Sequence, residues 1–204
     1  MRESVINGTN RLILASGSEV RKQILTNAGL VFDVRPPNIN EARVKAESHS
    51  LATKALAETL AEKKALKVSS DNPGSWVVGA DRVLRCEGKL FDKPNGLNGV
   101  REHLVKLRGK THHLISAVCV AKHDEIIWSH IDSAKLVMRE LSDQFIDEYV
   151  KAAGERAQEA VGAYRLEDKG IQLFSCIDGD YFTILGLPIV PLLEFFRSRG
   201  ELLS

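Results

Sequence analysis

At 204 residues, 44% of them hydrophobic, the chain has material for a single domain of generous size, or for two lobes sharing one sheet. A formal net charge of +1 excludes a field for sequence-independent nucleic-acid binding, so any basic cluster must act locally. The three cysteines, Cys86, Cys119 and Cys176, are odd in number and widely spaced, which argues against a disulfide framework or a structural zinc site.

That cysteine usage fits a reducing, cytoplasmic setting. No segment reads as a membrane span or secretory signal: the first ten residues are polar, the apolar run after them covers only residues 12–15, and the stretch 184–196 is interrupted by Pro188 and Pro191. Asn7-Gly8-Thr9 matches a glycosylation acceptor pattern, which without a secretory signal is read as chance.

Leu12-Ile13-Leu14-Ala15 predicts a short strand that stops at Ser16-Gly17-Ser18. Ser18 then reads as the N-cap of a helix carrying Val20, Ile24, Leu25 and Ala28 and ending near Gly29. A helix start leaves N–H groups exposed with a partial positive charge. Arg21 and Lys22, three and four residues beyond Ser18, can share its side. Free N–H groups, two hydroxyls and two cations at a strand end describe an anion pocket suited to phosphate. An ordinary strand–turn–helix joint with a solvated basic face is the alternative.

Residues 31–35 alternate as a strand would until Pro36-Pro37, and residues 38–41 read as loop. A long helix is predicted over residues 46–68, with Leu51, Ala55, Leu56, Leu60, Ala61 and Ala65 on one side. A turn cluster with Asn72-Pro73-Gly74 precedes Trp76-Val77-Val78-Gly79-Ala80, a continuous apolar run that predicts a strand buried on both faces and ending at Asp81. Residues 83–86 and 89–91 form a hairpin around Glu87-Gly88.

A helix over 98–107 stops at Gly109, and two long strands follow, 111–121 and 126–138. Ser142 caps a helix bearing Phe145, Ile146, Tyr149 and Val150. A strand over 171–177 leads to an Asp178-Gly179-Asp180 turn, and a last helix runs to about residue 199 with Pro188 in its first turn. The order is mixed α/β: a twisted sheet flanked by helices, neither a TIM barrel nor a regular doubly wound sheet.

An acid at the exit of a buried strand, as Asp81 is expected to be, sits where open α/β sheets place their ligands. It can hold a hard cation or take a proton from water, or it can simply cap a turn. Glu41 is a second acid that could converge there. Lys63 and Lys64 at the end of the long helix, and Lys93 before Pro94, suit phosphate oxygens, although solvated surface lysines read the same way. His112 and His113 are adjacent, so they face opposite sides of a strand, and neither has a partner at metal-ligand spacing. An anion cradle, a strand-end acid and scattered lysines together suit metal-assisted attack of water on a phosphate ester or anhydride.

In their order along the chain these residues resemble the Maf proteins, which hydrolyse nucleoside triphosphates to the monophosphate and pyrophosphate. Residues 12–22 are similar to the family's LILASxSPRR, and Ile39-Asn40-Glu41 to its IDE. Residues 60–65 resemble LAxEKA, a match that selects Lys64 over Lys63. Val78-Gly79-Ala80-Asp81 resembles VIGAD, Asp92-Lys93-Pro94 resembles GKP, and residues 107–112 resemble LSGRTH. Gly162-Ala163-Tyr164, Gly179-Asp180-Tyr181 and Gly186-Leu187-Pro188 match the closing signature.

The resemblance implies one Maf-like domain over residues 1–204, of the Maf/ITPase-like fold, with a cleft between its two lobes. It further implies that Asp81 is the proton acceptor, that Ser16, Ser18, Arg21, Lys64 and Lys93 surround the triphosphate, and that Glu41 and Asp81 hold Mg²⁺ or Mn²⁺. A carboxylate with an ordinary pKa of about 3.9 is a weak base at neutral pH unless a metal acidifies its water, so metal dependence is expected. The resemblance also implies a homodimer.

Several positions depart from the family pattern. Glu19 stands where the family has Pro, Val20 where it has Arg or an aromatic residue, and Arg82 where it has Thr. Glu159-Ala160-Val161-Gly162-Ala163-Tyr164 lacks the lysine of the dTTP/UTP-preferring branch. Glu167 replaces that branch's Gln, as in the branch acting on 7-methyl-GTP. Val20, Arg82 and Glu167 are therefore the positions linked to choice of base. The competing expectation is a nucleotide-binding regulator of septum formation that does not turn its ligand over, and a weaker one is a phosphatase releasing orthophosphate.

Overall fold

The computed structural model describes residues 11–48 and 52–203; the Asn7-Gly8-Thr9 pattern and Leu51 lie outside them. The strand order is β2-β1-β3-β5-β6-β7, with β4 pairing β3. The chain divides into two compact units, one of Met1–Asp81, Ser116–Asp132 and Gly186–Ser204, the other of Arg82–Ile115 and Ser133–Leu185.

In the first unit β1 (Leu12–Ala15) is buried at all four positions. It lies parallel to β2 (Asp33–Val34) and to β3 (Trp76–Cys86). Parallel strands covered on both faces need apolar side chains throughout, which is what LILA and WVVGA supply. Ser18 caps α1 (Glu19–Asn27) as predicted. The strand expected over 31–35 shrinks to two residues, because Pro36 and Pro37 follow at once and cannot continue a ladder.

The long predicted helix is two helices, α2 (Glu41–Glu47) and α3 (Thr53–Ser70). Asn40 supplies a separate cap for α2, which closes at Ser48, and α3 starts anew after Ala52. Glu41 is therefore the first residue of a helix and not a loop residue. The first unit also holds the later part of β5 (Thr111–Lys122), the earlier part of β6 (Glu125–Met138) and α7 (Ile189–Ser198). His123 and Asp124 join β5 to β6 with φ of 53° and 61°, the paired left-handed turn that suits a two-residue hairpin. Pro188 stands just before α7, not inside its first turn.

β3 does not end at Asp81. The two strands expected on either side of Asp81 are one strand of 11 residues, since β3 keeps its ladder by pairing with β4 (Lys89–Phe91) after β1 has stopped. The second unit adds α4 (Gly96–Leu107) and α5 (Asp143–Ala153), the latter capped by Ser142, which accepts from the Phe145 N–H at 3.1 Å. The strand predicted over 171–177 begins only at Phe174: residues Lys169–Leu173 form a 3₁₀ turn, and β7 (Phe174–Asp178) pairs antiparallel with β6. A one-turn helix, α6 (Tyr181–Leu185), follows the Asp178-Gly179-Asp180 turn.

Candidate active site

Asp81 marks the point where β3 loses its parallel neighbour. The register pairs Leu12 with Trp76 and Ala15 with Gly79, so β1 ends opposite Gly79 and the chain turns away at Ser16. Asp81 lies two residues further along β3 and is only 7% exposed.

Gly79 lets α3 reach this place. A Cβ on residue 79 would lie 2.3 Å from the Ala61 carbonyl oxygen and 2.7 Å from the Ala65 Cβ, so only glycine permits the helix to lie so close to the strand. Leu60, Ala61 and Ala65 form the buried face of α3, and Lys64 shares it. Lys64 is 6% exposed, whereas the Lys63 side chain is 46% exposed and pairs with Glu47 at 3.8 Å.

The buried ammonium of Lys64 donates to Asp81 Oδ1 at 2.6 Å and stands 2.8 Å from Glu41 Oε1. Two carboxylates thus converge on one cation. Burying a lone ammonium or carboxylate costs several kcal/mol, and this pairing offsets it. Glu41 is held there by its place at the head of α2, where Asn40 Oδ1 accepts from the Arg43 N–H at 3.0 Å. Glu41 remains half-exposed, which leaves the group open to water on that side.

The turn after β1 is tied together by its own hydroxyls. Ser18 Oγ accepts from the Arg21 N–H at 3.4 Å, and Ser16 Oγ accepts from the Ser18 N–H at 3.2 Å and from Arg21 Nη1 at 3.2 Å. Arg21 Nε donates to the Gly186 carbonyl at 2.8 Å. The guanidinium is therefore oriented by both the first and the last motif of the chain. Lys22 does not join it: Lys22 points outward and pairs with Glu19 at 3.4 Å. That pair balances the charge that Glu19 brings beside the cradle. Val20 is half-buried on the first turn of α1.

A family model for Maf-like proteins matches residues 11–199. The chain belongs to the Maf family. It is 46% identical over 195 residues to a nucleoside triphosphate pyrophosphatase of Paramagnetospirillum magneticum, covering 93% of this chain and 99% of that protein. A nucleoside triphosphate pyrophosphatase of Caulobacter vibrioides is 47% identical over 93% of this chain and 96% of its own. A 7-methyl-GTP pyrophosphatase of Mesorhizobium japonicum is 41% identical over 95% and 98% respectively.

In this Maf protein the first unit holds two clusters, Ser16 with Ser18 and Arg21 after β1, and Glu41 with Lys64 and Asp81 beside the neighbouring strand β3. The other expected site residues belong to the second unit. Arg82 donates to the Ile184 carbonyl. Lys93 is exposed in the segment between β4 and α4. Glu167 pairs with Arg165 Nε at 2.9 Å, and Arg165 Nη1 pairs with Glu159 at 3.3 Å, so one guanidinium serves two acids.

The Maf motifs around His112 and Tyr164 also meet in the second unit. His112 Nε2 is 2.8 Å from the Tyr164 hydroxyl, both side chains are buried, and the Tyr164 ring lies where a Cβ on Gly162 would fall, 2.3 Å away. Burial, with His113 next to it, pushes the His112 pKa down to about 4, so the ring is neutral; burial raises that of Tyr164. As expected of adjacent strand residues the two histidines face opposite sides, His112 packed inside and His113 towards solvent.

Sequence reasoning missed two contributors, Gly79 and the Gly186 carbonyl. Both lay inside quoted motifs, yet a glycine's role as a close-approach point is visible only once its neighbour across space is known.

Among the described residues no three His, Cys, Asp or Glu side chains gather as a metal group. Glu41 and Asp81 nevertheless fit a Mg²⁺-type ion. Such ions are held by one or two carboxylates with substrate phosphates and water completing the shell, and here two carboxylates already share one cation, the Lys64 ammonium.

Proposed function

We propose that this Maf protein is a nucleoside triphosphate pyrophosphatase that cleaves the α–β phosphoanhydride, releasing a nucleoside monophosphate and pyrophosphate, with modified nucleotides among its substrates. The observation that carries the proposal is the buried Lys64 held between Asp81 and Glu41, one β-strand away from the Ser16–Arg21 turn. A salt bridge buried in this way adds little to stability, so its presence beside an anion cradle points to use.

The N-terminus of α1, the Ser16 and Ser18 hydroxyls and the Arg21 guanidinium receive phosphate oxygens. Lys64 neutralises further charge, which lets water approach the α-phosphorus. Asp81 accepts the water's proton as the new O–P bond forms and the bridging oxygen leaves with pyrophosphate. Glu41 and Asp81 would hold Mg²⁺ or Mn²⁺, whose chemistry here is to neutralise phosphate charge and acidify water.

The acceptor-only carboxylate of Glu167 suits a base presenting paired N–H donors, as a guanine edge does, and supports a purine or 7-methylated purine over uracil. A panel of UTP, dTTP, GTP and 7-methyl-GTP with Mn²⁺ or Mg²⁺, read for pyrophosphate and for orthophosphate, tests the proposal. Pyrophosphate release with a purine preference is expected. Binding without turnover would support a regulator instead, and orthophosphate would indicate a phosphatase.

A further inference from the structure

Lys64 occupies the oxygens that the proposed reaction needs for a metal. Its ammonium lies 2.6 Å from Asp81 Oδ1 and 2.8 Å from Glu41 Oε1, both within the range of charge-assisted hydrogen bonds. Mg²⁺ sits at about 2.1 Å from its oxygen ligands. A Mg²⁺ drawn to these same two oxygens would have to share them with the ammonium, so the two cations would compete for the same carboxylates.

We infer that Lys64 is an exchangeable internal counter-ion: it holds the Glu41–Asp81 pair in the free protein, keeps divalent-cation affinity low there, and moves to a phosphate oxygen when metal and nucleotide arrive together. The inference rests on the pyrophosphatase reading for the identity of the arriving nucleotide. The competition with metal rests on that reading for the metal and on the Lys64 pairing with both carboxylates for its place.

The choice of lysine fits this task. Its compact ammonium on a flexible four-carbon stem can change partners, whereas a planar guanidinium is specialised for a fixed fork. Leaving two facing carboxylates without a cation in a largely buried setting is costly, so Lys64 can depart only as another positive charge enters. A triphosphate supplies the negative oxygens that would then receive the lysine. Metal and nucleotide should accordingly strengthen each other's binding by the same factor.

The test is Mn²⁺ binding to the full chain without nucleotide, read by electron paramagnetic resonance or calorimetry, for the unaltered protein and for Lys64→Met, Lys64→Gln and Lys64→Arg. Both neutral variants are expected to bind Mn²⁺ at least about tenfold more tightly, while Lys64→Arg stays weak. Thermal unfolding is the second readout: the neutral variants should melt lower than the unaltered protein without Mn²⁺ and recover more of that loss on its addition. Unchanged or weaker Mn²⁺ affinity in folded Lys64→Met or Lys64→Gln overturns the inference. Should Lys64→Met fold only with Mn²⁺, that Mn²⁺-induced folding is itself the competition expected, whereas failure of both neutral variants to fold at any Mn²⁺ concentration counts against it. Tighter Mn²⁺ binding with no pyrophosphate release from any nucleotide would retain the exchange and discard the pyrophosphatase reading.

Discussion

Gly79→Ala changes a residue that carries no functional group, yet it should disable the site. The added methyl would sit 2.3 Å from the Ala61 carbonyl oxygen and 2.9 Å from the Ala65 N–H nitrogen, both backbone atoms of α3. Ordinary contact requires roughly 1 Å more, and backbone in the middle of a helix cannot yield locally, so α3 must shift as a body away from β3. Overpacking of this kind costs about 1–3 kcal/mol, and in a chain of this length each kcal/mol lowers Tm by about 2–4 °C.

The same shift takes the Lys64 ammonium away from Asp81, where the present separation is 2.6 Å. A displacement of about 1 Å in a catalytic group can cost on the order of a hundredfold in rate. Urea unfolding would measure the first effect and kcat/KM for the best nucleotide of the panel the second. The variant should lose both, with activity falling at temperatures where circular dichroism shows it fully folded. Retention of kcat/KM within twofold would refute the link between this contact and the site, and an unchanged Tm would refute the contact itself.

Asp81→Asn should lower kcat by about 10²–10⁴ while nucleotide binding, followed by calorimetry, persists, since it removes the proposed proton acceptor and leaves the Ser16–Arg21 turn unchanged. Removing divalent cations with a chelator should abolish pyrophosphate release, and added Mn²⁺ or Mg²⁺ should restore it; turnover undiminished in chelator would exclude the metal. His112 has its pKa pushed from 6.5 to about 4 by burial, so the unfolded chain takes up a proton that the folded chain refuses. Stability should therefore be intact above pH 6.5 and fall as pH drops towards 4, by about 3 kcal/mol from this group, and denaturant curves of a His112→Gln variant should be flatter over that window. Ser142→Ala should cost about 1 kcal/mol through loss of the α5 cap, with no effect on kcat/KM.

Most of the elements could be read from the chain because their signals are local. Ser18 and Ser142 cap helices within three residues of themselves, Glu87-Gly88 and His123-Asp124 turn hairpins through left-handed φ angles, and the buried strands announce themselves by unbroken apolar runs. The motif order likewise pointed to the family and to Asp81, Glu41 and Lys64. Errors gathered where a local signal continued past a real boundary: apolar spacing bridged α2 and α3, and Asp81 read as a strand end although β4 carries the ladder onward.

The motif match picked Lys64 over its neighbour, but only the tertiary structure supplied the physical reason. Lys63 and Lys64 are the same residue type on the same helix, and only the approach of α3 to Gly79 buries one and leaves the other in water. The orientation of Arg21 by a carbonyl 165 residues away is of the same kind. Periodicity and capping act over a few residues, whereas a site of opposed charges exists only after strand order has brought distant segments within hydrogen-bond reach.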